Sequence, residues 1–184
     1  MAVEGLGVLL EKKGLQKLSK EDYRSRFCFP LERFYTEVGL IDKLDPFEKI
    51  AYEFIKYYDE NSKDLNLFPG ILNILQSSLA THSILSAAPE VHLHEITKRF
   101  GLHPHFINIF GLGHAFGDSK ISRGQELIKK LDFKKEEIIL IGDTDHDLEV
   151  GKALGVTVLL VADGHQSYQR LSRAHNRVIE TRLL

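Results

Sequence analysis

The stretch Glu137-Ile-Ile-Leu-Ile-Gly-Asp-Thr-Asp-His-Asp147 decides the fold class of this chain. Its first five residues, Glu137 to Ile141, form an apolar run of the kind that is typical of a buried strand. Three aspartates follow, at positions 143, 145 and 147. Asp143 comes directly after the strand, and Asp147 lies in the first turn of a helix predicted over residues 145–154. A buried strand that leads straight into a helix indicates a sheet covered by helices.

The same alternation of strand and helix extends to both sides of this stretch. Strands are predicted at His82–Ala88, Ile107–Phe110 and Val156–Ala162. Further helices are predicted over residues 70–78, 89–100 and 122–131. The pattern predicts an α/β fold with a doubly wound parallel sheet. In such sheets, functional residues gather at the carboxyl ends of the strands.

The first third of the chain has helical periodicity instead. Apolar residues recur at i, i+3, i+4 and i+7 from Leu31 to Val38 and again from Phe47 to Tyr58. Asp45 is predicted to cap the second of these helices. We therefore expect a small helical domain over residues 1–66 and an α/β core domain over residues 67–184.

The composition narrows the class of protein. The chain has 184 residues, of which 43% are hydrophobic and 27% charged, as is usual in soluble globular proteins. The formal net charge of -2 gives no broad basic surface, so no nucleic-acid partner is expected. A single cysteine, Cys28, excludes an internal disulfide. With no apolar run near the ~20 residues of a membrane span, we expect a cytoplasmic protein without a membrane partner. The oligomeric state stays open.

Asp143 and Asp147 are candidate metal ligands. Both follow a predicted strand, and hard carboxylate oxygens suit Mg²⁺, which takes phosphate and water as its remaining ligands. The alternative is that acidic residues at a helix start only cap the helix and complement its dipole. The apolar strand and Gly142 directly before them favour the metal site.

Two other strand ends carry candidate phosphate-binding groups. The hydroxyl of Ser86 and the backbone amide of Ala87 lie among the small residues that end a predicted strand, after Ile84 and Leu85 and next to the start of a helix. Lys120, in Gly117-Asp-Ser-Lys120, precedes a helix and can neutralise phosphate charge. Taken alone, each has an ordinary alternative: a serine in a strand-end turn and a lysine on the solvated surface.

Taken together, these residues resemble motifs two, three and four of the haloacid dehalogenase (HAD) superfamily. The motif sequences are close to those of its phosphoglycolate phosphatase-like branch, and the resemblance covers essentially the whole chain. The stretches that carry it are Phe68-Pro-Gly70, Ile84-Leu-Ser-Ala87, Ser119-Lys120, Ile141-Gly-Asp-Thr144 and Gly164-His-Gln-Ser167.

The resemblance implies a Mg²⁺-dependent phosphatase of a small phosphorylated metabolite such as phosphoglycolate. A Rossmann-like core would carry the site, and residues 1–66 would form a helical cap domain inserted after the first strand. Ser86, Ala87 and Lys120 would bind the phosphate, and Asp143 and Asp147 would hold Mg²⁺. Lys120 and Asp143 would be the catalytic residues of this chain.

The family's first motif, Asp-x-Asp-Gly-Thr at the end of a central strand, does not precede the helical region. Its first aspartate attacks phosphorus and its second acts as general acid and base. We expect the true start to lie upstream; a degenerate relative, or a strand supplied by another chain, would also account for the gap. Without the central strand the sheet has two open edges, so we expect marginal stability.

Three rival functions remain. A non-catalytic relative would bind a phosphorylated ligand or a protein partner through the same pocket. Another chemistry on this scaffold, such as dehalogenation or phosphoryl transfer between sugars, is a second rival, although dehalogenation needs no metal and the paired acids argue against it. A receiver-type signalling domain would share acids at strand ends but would lack the helical first third.

Four polar residues outside these motifs have two interpretations each. Arg24 and Arg26 either reach from the helical region to the substrate or lie on a solvated helix face. His165 and Gln166 follow the last predicted strand, and either approach the rim of the site or belong to a polar loop.

Overall fold

The N-terminal part of the protein is helical, as the periodicity predicts. The computed structural model describes residues 1–62, 65–113, 119–162 and 164–180, so Gly117 and Asp118 of the third motif lie outside the described residues. The helices are α1 (Ala2–Lys12), α2 (Lys20–Arg26), α3 (Leu31–Glu37) and α4 (Phe47–Asn61). Their apolar faces form one buried cluster, with Leu6, Leu9, Leu10, Tyr23, Phe27, Phe34, Tyr35, Leu40 and Ile50 at its centre.

The predicted cap of α4 is wrong. Pro46 occupies the N-cap position, and no side chain caps the helix. The carboxylate of Asp45 instead binds two ammonium groups, those of Lys13 at 2.9 Å and of Lys49. Because charged partners compete with the backbone amides, Asp45 ties the end of α1 to the start of α4 rather than capping the latter.

The rest of the described chain alternates strand and helix, and every strand pair is parallel. The strands are β1 (His82–Pro89), β2 (Phe106–Leu112), β3 (Ile139–Gly142), β4 (Thr157–Ala162) and β5 (Val178–Glu180). The helices are α5 (Ile71–Ser77), α6 (Glu90–Arg99), α7 (Ile121–Lys130), α8 (Asp145–Leu154) and α9 (Tyr168–Ala174). The predicted parallel α/β fold is confirmed; α9 and β5 were not predicted. Among the described residues, no helix combines the length and apolar content that crossing a membrane requires.

The strands form two separate sheets, β1–β2 and β3–β4–β5. Helix α7 holds the two sheets next to each other. At Gly124 in this helix, a Cβ atom would lie 2.8 Å from Leu154 of α8 and 3.1 Å from Leu85 of β1. Within the described ranges, β1 and β3 each pair on one side only. Their other edges therefore keep unpaired backbone groups, as expected for a sheet without its central strand.

The prediction that Glu137–Ile141 is a buried strand is wrong in its burial. Strand β3 is shorter, and Ile139 and Ile141 are 61% and 65% exposed. One face of the strand does pack, since Leu140 contacts the apolar cluster of α8, β4 and α9. The opposite face is exposed because burial of a strand face depends on the layer that packs over it, and the described elements leave Ile139 and Ile141 largely uncovered.

Candidate active site

Asp147 is a buried carboxylate at the start of α8. Its Oδ2 accepts hydrogen bonds from the backbone amides of Asp143 (3.1 Å) and Thr144 (3.0 Å) and from the Thr144 hydroxyl (2.7 Å). Thr144 is the N-cap, and its hydroxyl in turn accepts from the Asp147 amide at 3.3 Å. The helix-capping role that the sequence left open is therefore present, and it fixes the direction of the Asp147 side chain.

Lys120 meets Asp147 from the opposite side. Its ammonium lies 2.7 Å from Asp147 Oδ1 and donates to the Leu85 carbonyl of β1 at 3.1 Å. Burial alone would raise the pKa of Asp147, but the Lys120 charge and the hydrogen bonds from Lys120 and Thr144 outweigh burial and lower it. The pair thus links Leu85, in β1, to the start of α8.

Asp143 is held by the loop that follows β4. Its Oδ2 accepts a hydrogen bond from the His165 backbone amide at 2.6 Å. A Cβ atom at Gly164 would lie 1.9 Å from the same oxygen, so only glycine fits at this close approach. Gly142 has a similar role on the other side, because a Cβ atom there would lie 2.2 Å from Asp147 Cγ. The sequence does not reveal this contribution of Gly164, although the stretch Gly164–Ser167 carries part of the family resemblance.

Ser86 and Ala87 lie in β1, directly after Leu85, whose carbonyl binds Lys120. The Ser86 hydroxyl accepts from the Ala88 amide at 3.1 Å, and it keeps its own hydrogen to donate. The structure thus brings Lys120, Asp143 and Asp147 into one hydrogen-bonded cluster, with Ser86 next along the strand that contacts it.

The two acids differ in what they can offer a cation. Both oxygens of Asp147 are engaged by donors, Oδ1 by Lys120 and Oδ2 by three groups of the 143–144 turn. The contact of Asp143 with His165 involves Oδ2. Asp143 is therefore the better candidate for a direct ligand. Within the described ranges, no group of three or more His, Cys, Asp or Glu side chains is gathered as a metal cluster.

Gln166 is a buried link between the helical region and the site. The side chain is fully buried, accepts from the Asp145 amide at 2.8 Å, and donates to Asp145 Oδ1 at 2.8 Å and to the Phe27 carbonyl at 3.0 Å. Arg170 makes a parallel link, with bonds to Asp145 Oδ2 (2.6 Å) and the Ser25 carbonyl (3.0 Å). Gln166 is therefore not part of a solvated polar loop.

His165 is contacted by α2 and the residue that ends it. The Tyr23 hydroxyl lies 2.6 Å from His165 Nδ1, and the Phe27 ring stacks on the imidazole at a centroid distance of 4.4 Å. Burial raises the pKa of Tyr23, and burial lowers the pKa of His165 although the Asp143 charge opposes it. Both shifts favour the neutral form of the group, and the phenol oxygen and His165 Nδ1 lie within hydrogen-bond distance.

The two arginines of α2 differ. Arg24 Nε donates to the Gly164 carbonyl at 3.2 Å, next to the contact between Gly164 and Asp143. Arg26 donates to the Glu37 carbonyl at 2.8 Å, within the helical region. Of the two, Arg24 contacts the loop that holds Asp143.

Comparison with known proteins agrees with this fold. The model of the haloacid dehalogenase-like hydrolase family matches residues 2–161. No curated protein matches the chain.

Solved structures have the same architecture. A haloacid dehalogenase-like hydrolase from Streptococcus pneumoniae superposes with a TM-score of 0.80 and 19% identity, over 98% of this chain and 85% of that one. A protein from Bacteroides fragilis, named as a haloacid dehalogenase-like hydrolase, gives 0.79 and 21% over 100% and 91%. One from Lactobacillus delbrueckii subsp. bulgaricus, named as a phosphoglycolate phosphatase, gives 0.74 and 15% over 98% and 87%. At these identities the likeness shows the fold.

Proposed function

Since the chain belongs to the haloacid dehalogenase-like hydrolase family, we propose that it serves as a Mg²⁺-dependent phosphatase of a small phosphorylated metabolite such as phosphoglycolate. The observation that carries the proposal is the cluster of Lys120, Asp147 and Asp143 between Leu85 of β1 and the start of α8. Residues 1–66 would act as a cap domain over residues 67–184, closing the site to water.

Lys120 and β1 would bind the substrate phosphate. An ammonium group has three N–H donors, and in Lys120 one lies against Asp147 and one against the Leu85 carbonyl. A third donor remains for a phosphate oxygen. The Ser86 hydroxyl and the Ala87 amide, just beyond Leu85, would bind a second oxygen and so stabilise charge on the phosphoryl group as it transfers.

Asp143 would hold the metal. Mg²⁺ is usually bound by one or two protein carboxylates, with phosphate and water completing its shell, which one oxygen of Asp143 satisfies. When bound, the ion would neutralise charge on the phosphoryl oxygens. Asp147 supports this ligand, because its Oδ2 fixes the Asp143 amide and its Oδ1 fixes Lys120.

The nucleophile would come from a strand between β1 and β3 that lies outside these 184 residues. Both edges are parallel and open within the described ranges, so one parallel strand can pair with both. Its carboxyl end would then emerge beside Lys120 and Asp143.

An aspartate at that end would attack phosphorus. A bond forms between the aspartate oxygen and phosphorus while the bond from phosphorus to the ester oxygen breaks, and a second acid protonates the departing alcohol. Water then cleaves the aspartyl-phosphate and releases inorganic phosphate.

The test compares two lengths of the chain. Genomic DNA upstream of Met1 should encode an in-frame Asp-x-Asp-Gly-Thr. The chain extended to include it should hydrolyse p-nitrophenyl phosphate with Mg²⁺, and Asp143→Asn should abolish turnover. The absence of an upstream motif, or an extended chain with no turnover on any small phosphate ester, would refute the proposal.

A second function is favoured by one observation. Of the acids in the 143–147 segment, Asp147 is fully engaged and Asp145 is bound to Gln166 and Arg170, which leaves Asp143 as the candidate reactive acid there. A catalytically inactive relative would bind a phosphorylated ligand or a protein partner through Lys120 and Ser86. Tight binding of a phosphate ester without turnover by either chain length would favour it.

A further inference from the structure

The loop after β4 grips one oxygen of Asp143 in two ways. The His165 amide donates to Oδ2 at 2.6 Å, and the Gly164 backbone is so close that any Cβ atom would overlap this oxygen. A charge-assisted hydrogen bond of this length holds its partner firmly. The position of the 164–165 backbone therefore sets the direction of the Asp143 carboxylate.

The same two loop residues are held by the helical region. Tyr23 meets the imidazole of His165 at 2.6 Å, and Phe27 stacks on it at an interplanar angle of 17°. Arg24 donates to the Gly164 carbonyl. Three residues from α2 and its C-terminal end, Tyr23, Arg24 and Phe27, thus contact the loop in which the His165 amide binds Asp143.

We propose that Tyr23 is a positioning residue for the Asp143 carboxylate, acting through the side chain and backbone amide of His165. The inference rests on the proposed function, in which Asp143 binds Mg²⁺ and residues 1–66 form the cap. With the cap closed, Tyr23 fixes His165, His165 fixes Oδ2, and the other oxygen is directed towards the metal. With the cap open, the loop loses these contacts and Asp143 loses its fixed orientation.

The first experiment measures the hydrogen bond from the His165 amide to Asp143 in the 184-residue chain, by nuclear magnetic resonance. The amide proton of His165 should resonate far downfield, because a short bond to a carboxylate deshields it, and Asp143→Asn should move it upfield. Tyr23→Phe removes the hydroxyl and keeps the ring that packs on Phe34. It should move the same signal in the same direction, by at least a third of the Asp143→Asn shift.

Tyr35→Phe is the matched control. Tyr35 is equally buried in the helical cluster, and its ring packs on Phe34, Phe47 and Phe54. This variant should leave the His165 amide at its wild-type position. If Tyr23→Phe does not fold, Arg24→Met takes its place. It removes the hydrogen bond to the Gly164 carbonyl and should move the His165 amide signal upfield. An unchanged His165 amide in a folded Tyr23→Phe or Arg24→Met chain overturns the proposal.

The second experiment measures the consequence for the metal. In calorimetric titration, Tyr23→Phe should weaken Mg²⁺ binding several-fold relative to Tyr35→Phe. Equal affinities in the two variants overturn the positioning role. If the wild-type chain binds no Mg²⁺, the proposed function fails, whereas the amide signal, which needs neither metal nor substrate, still decides the proposal about Tyr23.

Discussion

The ammonium of Lys120 lies 2.7 Å from Oδ1 of Asp147, and the two side chains are only 12% and 6% exposed. A buried ion pair is costly to assemble, but removing one partner is worse, because an uncompensated charge remains in the interior. The pair therefore constrains both the stability of the core and the chemistry of the site.

Replacing Lys120 by Met should lower the free energy of unfolding by about 3 kcal/mol, because Asp147 would keep its burial and lose its counter-charge. Urea denaturation measures the change. Lys129→Met, on the exposed side of α7, is the matched control and should stay within about 0.5 kcal/mol of wild type. A loss of the same size in both variants would refute a specific role for the buried pair.

The pH dependence of stability should carry the signature of Asp147. Its pKa in the folded protein lies below its ordinary value of 3.8, so the pair stabilises fully above that value and the contribution is lost as pH falls through the folded pKa. Asp147→Asn cannot ionise and should be less stable at about pH 6. The difference in unfolding free energy between the two chains should shrink as pH falls below the ordinary value of 3.8. A difference that stays constant over this range would contradict the assignment.

Gly164→Ala should disrupt the site more than the fold. The added Cβ would lie 1.9 Å from Asp143 Oδ2, so the carboxylate or the loop must move. Overpacking of this kind costs about 1–3 kcal/mol. Mg²⁺ affinity should drop at least tenfold by calorimetry, because the proposed ligand is displaced.

Gly113→Ala provides the control for that substitution. A Cβ atom there would meet nothing within 4 Å. This variant should bind Mg²⁺ as the wild type does. Retention of wild-type affinity by Gly164→Ala would show that the Asp143 orientation is not set by the loop.

Local periodicity is enough to predict most of the elements. The apolar run before Gly142, the helix that ends at Gly155 and the alternation on both sides determine a parallel α/β fold, because each signal is read within a few residues. The exposure of Ile139 and Ile141 is different. It depends on which other elements pack over that face of β3, and no residue within β3 specifies them.

The candidate site also has one part that the local sequence indicates and another that depends on the packing of distant residues. Thr144 and Asp147 are three residues apart and form a capping pair that the sequence can indicate. The contact between Tyr23 and His165 spans 142 positions and joins a helix to a loop. Neither residue has a local pattern that points to the other, so only the packing of α2 against the loop reveals that Tyr23 reaches the site. Asp45 shows the converse error: its local cap signal is good, but its carboxylate binds Lys13 at the end of α1 and Lys49 in the first turn of α4.

The open edge of β3 should make the 184-residue chain associate with itself. Ile139 and Ile141 are exposed beside unpaired backbone groups, which is a template for edge-to-edge pairing. Ile141→Lys places a charge on this edge and should lower concentration-dependent light scattering. Because the isoleucine is already 65% exposed, the unfolding free energy should change by less than about 0.5 kcal/mol.

Leu79→Lys is the control, since Leu79 is fully exposed but lies between α5 and β1, away from β3. It should leave the scattering near that of wild type. In the chain extended by the proposed central strand, the edge of β3 would be paired, so the chain should scatter little and Ile141→Lys should change the scattering little. If Ile141→Lys lowers the scattering of the extended chain as much as that of the 184-residue chain, the added strand does not pair with β3.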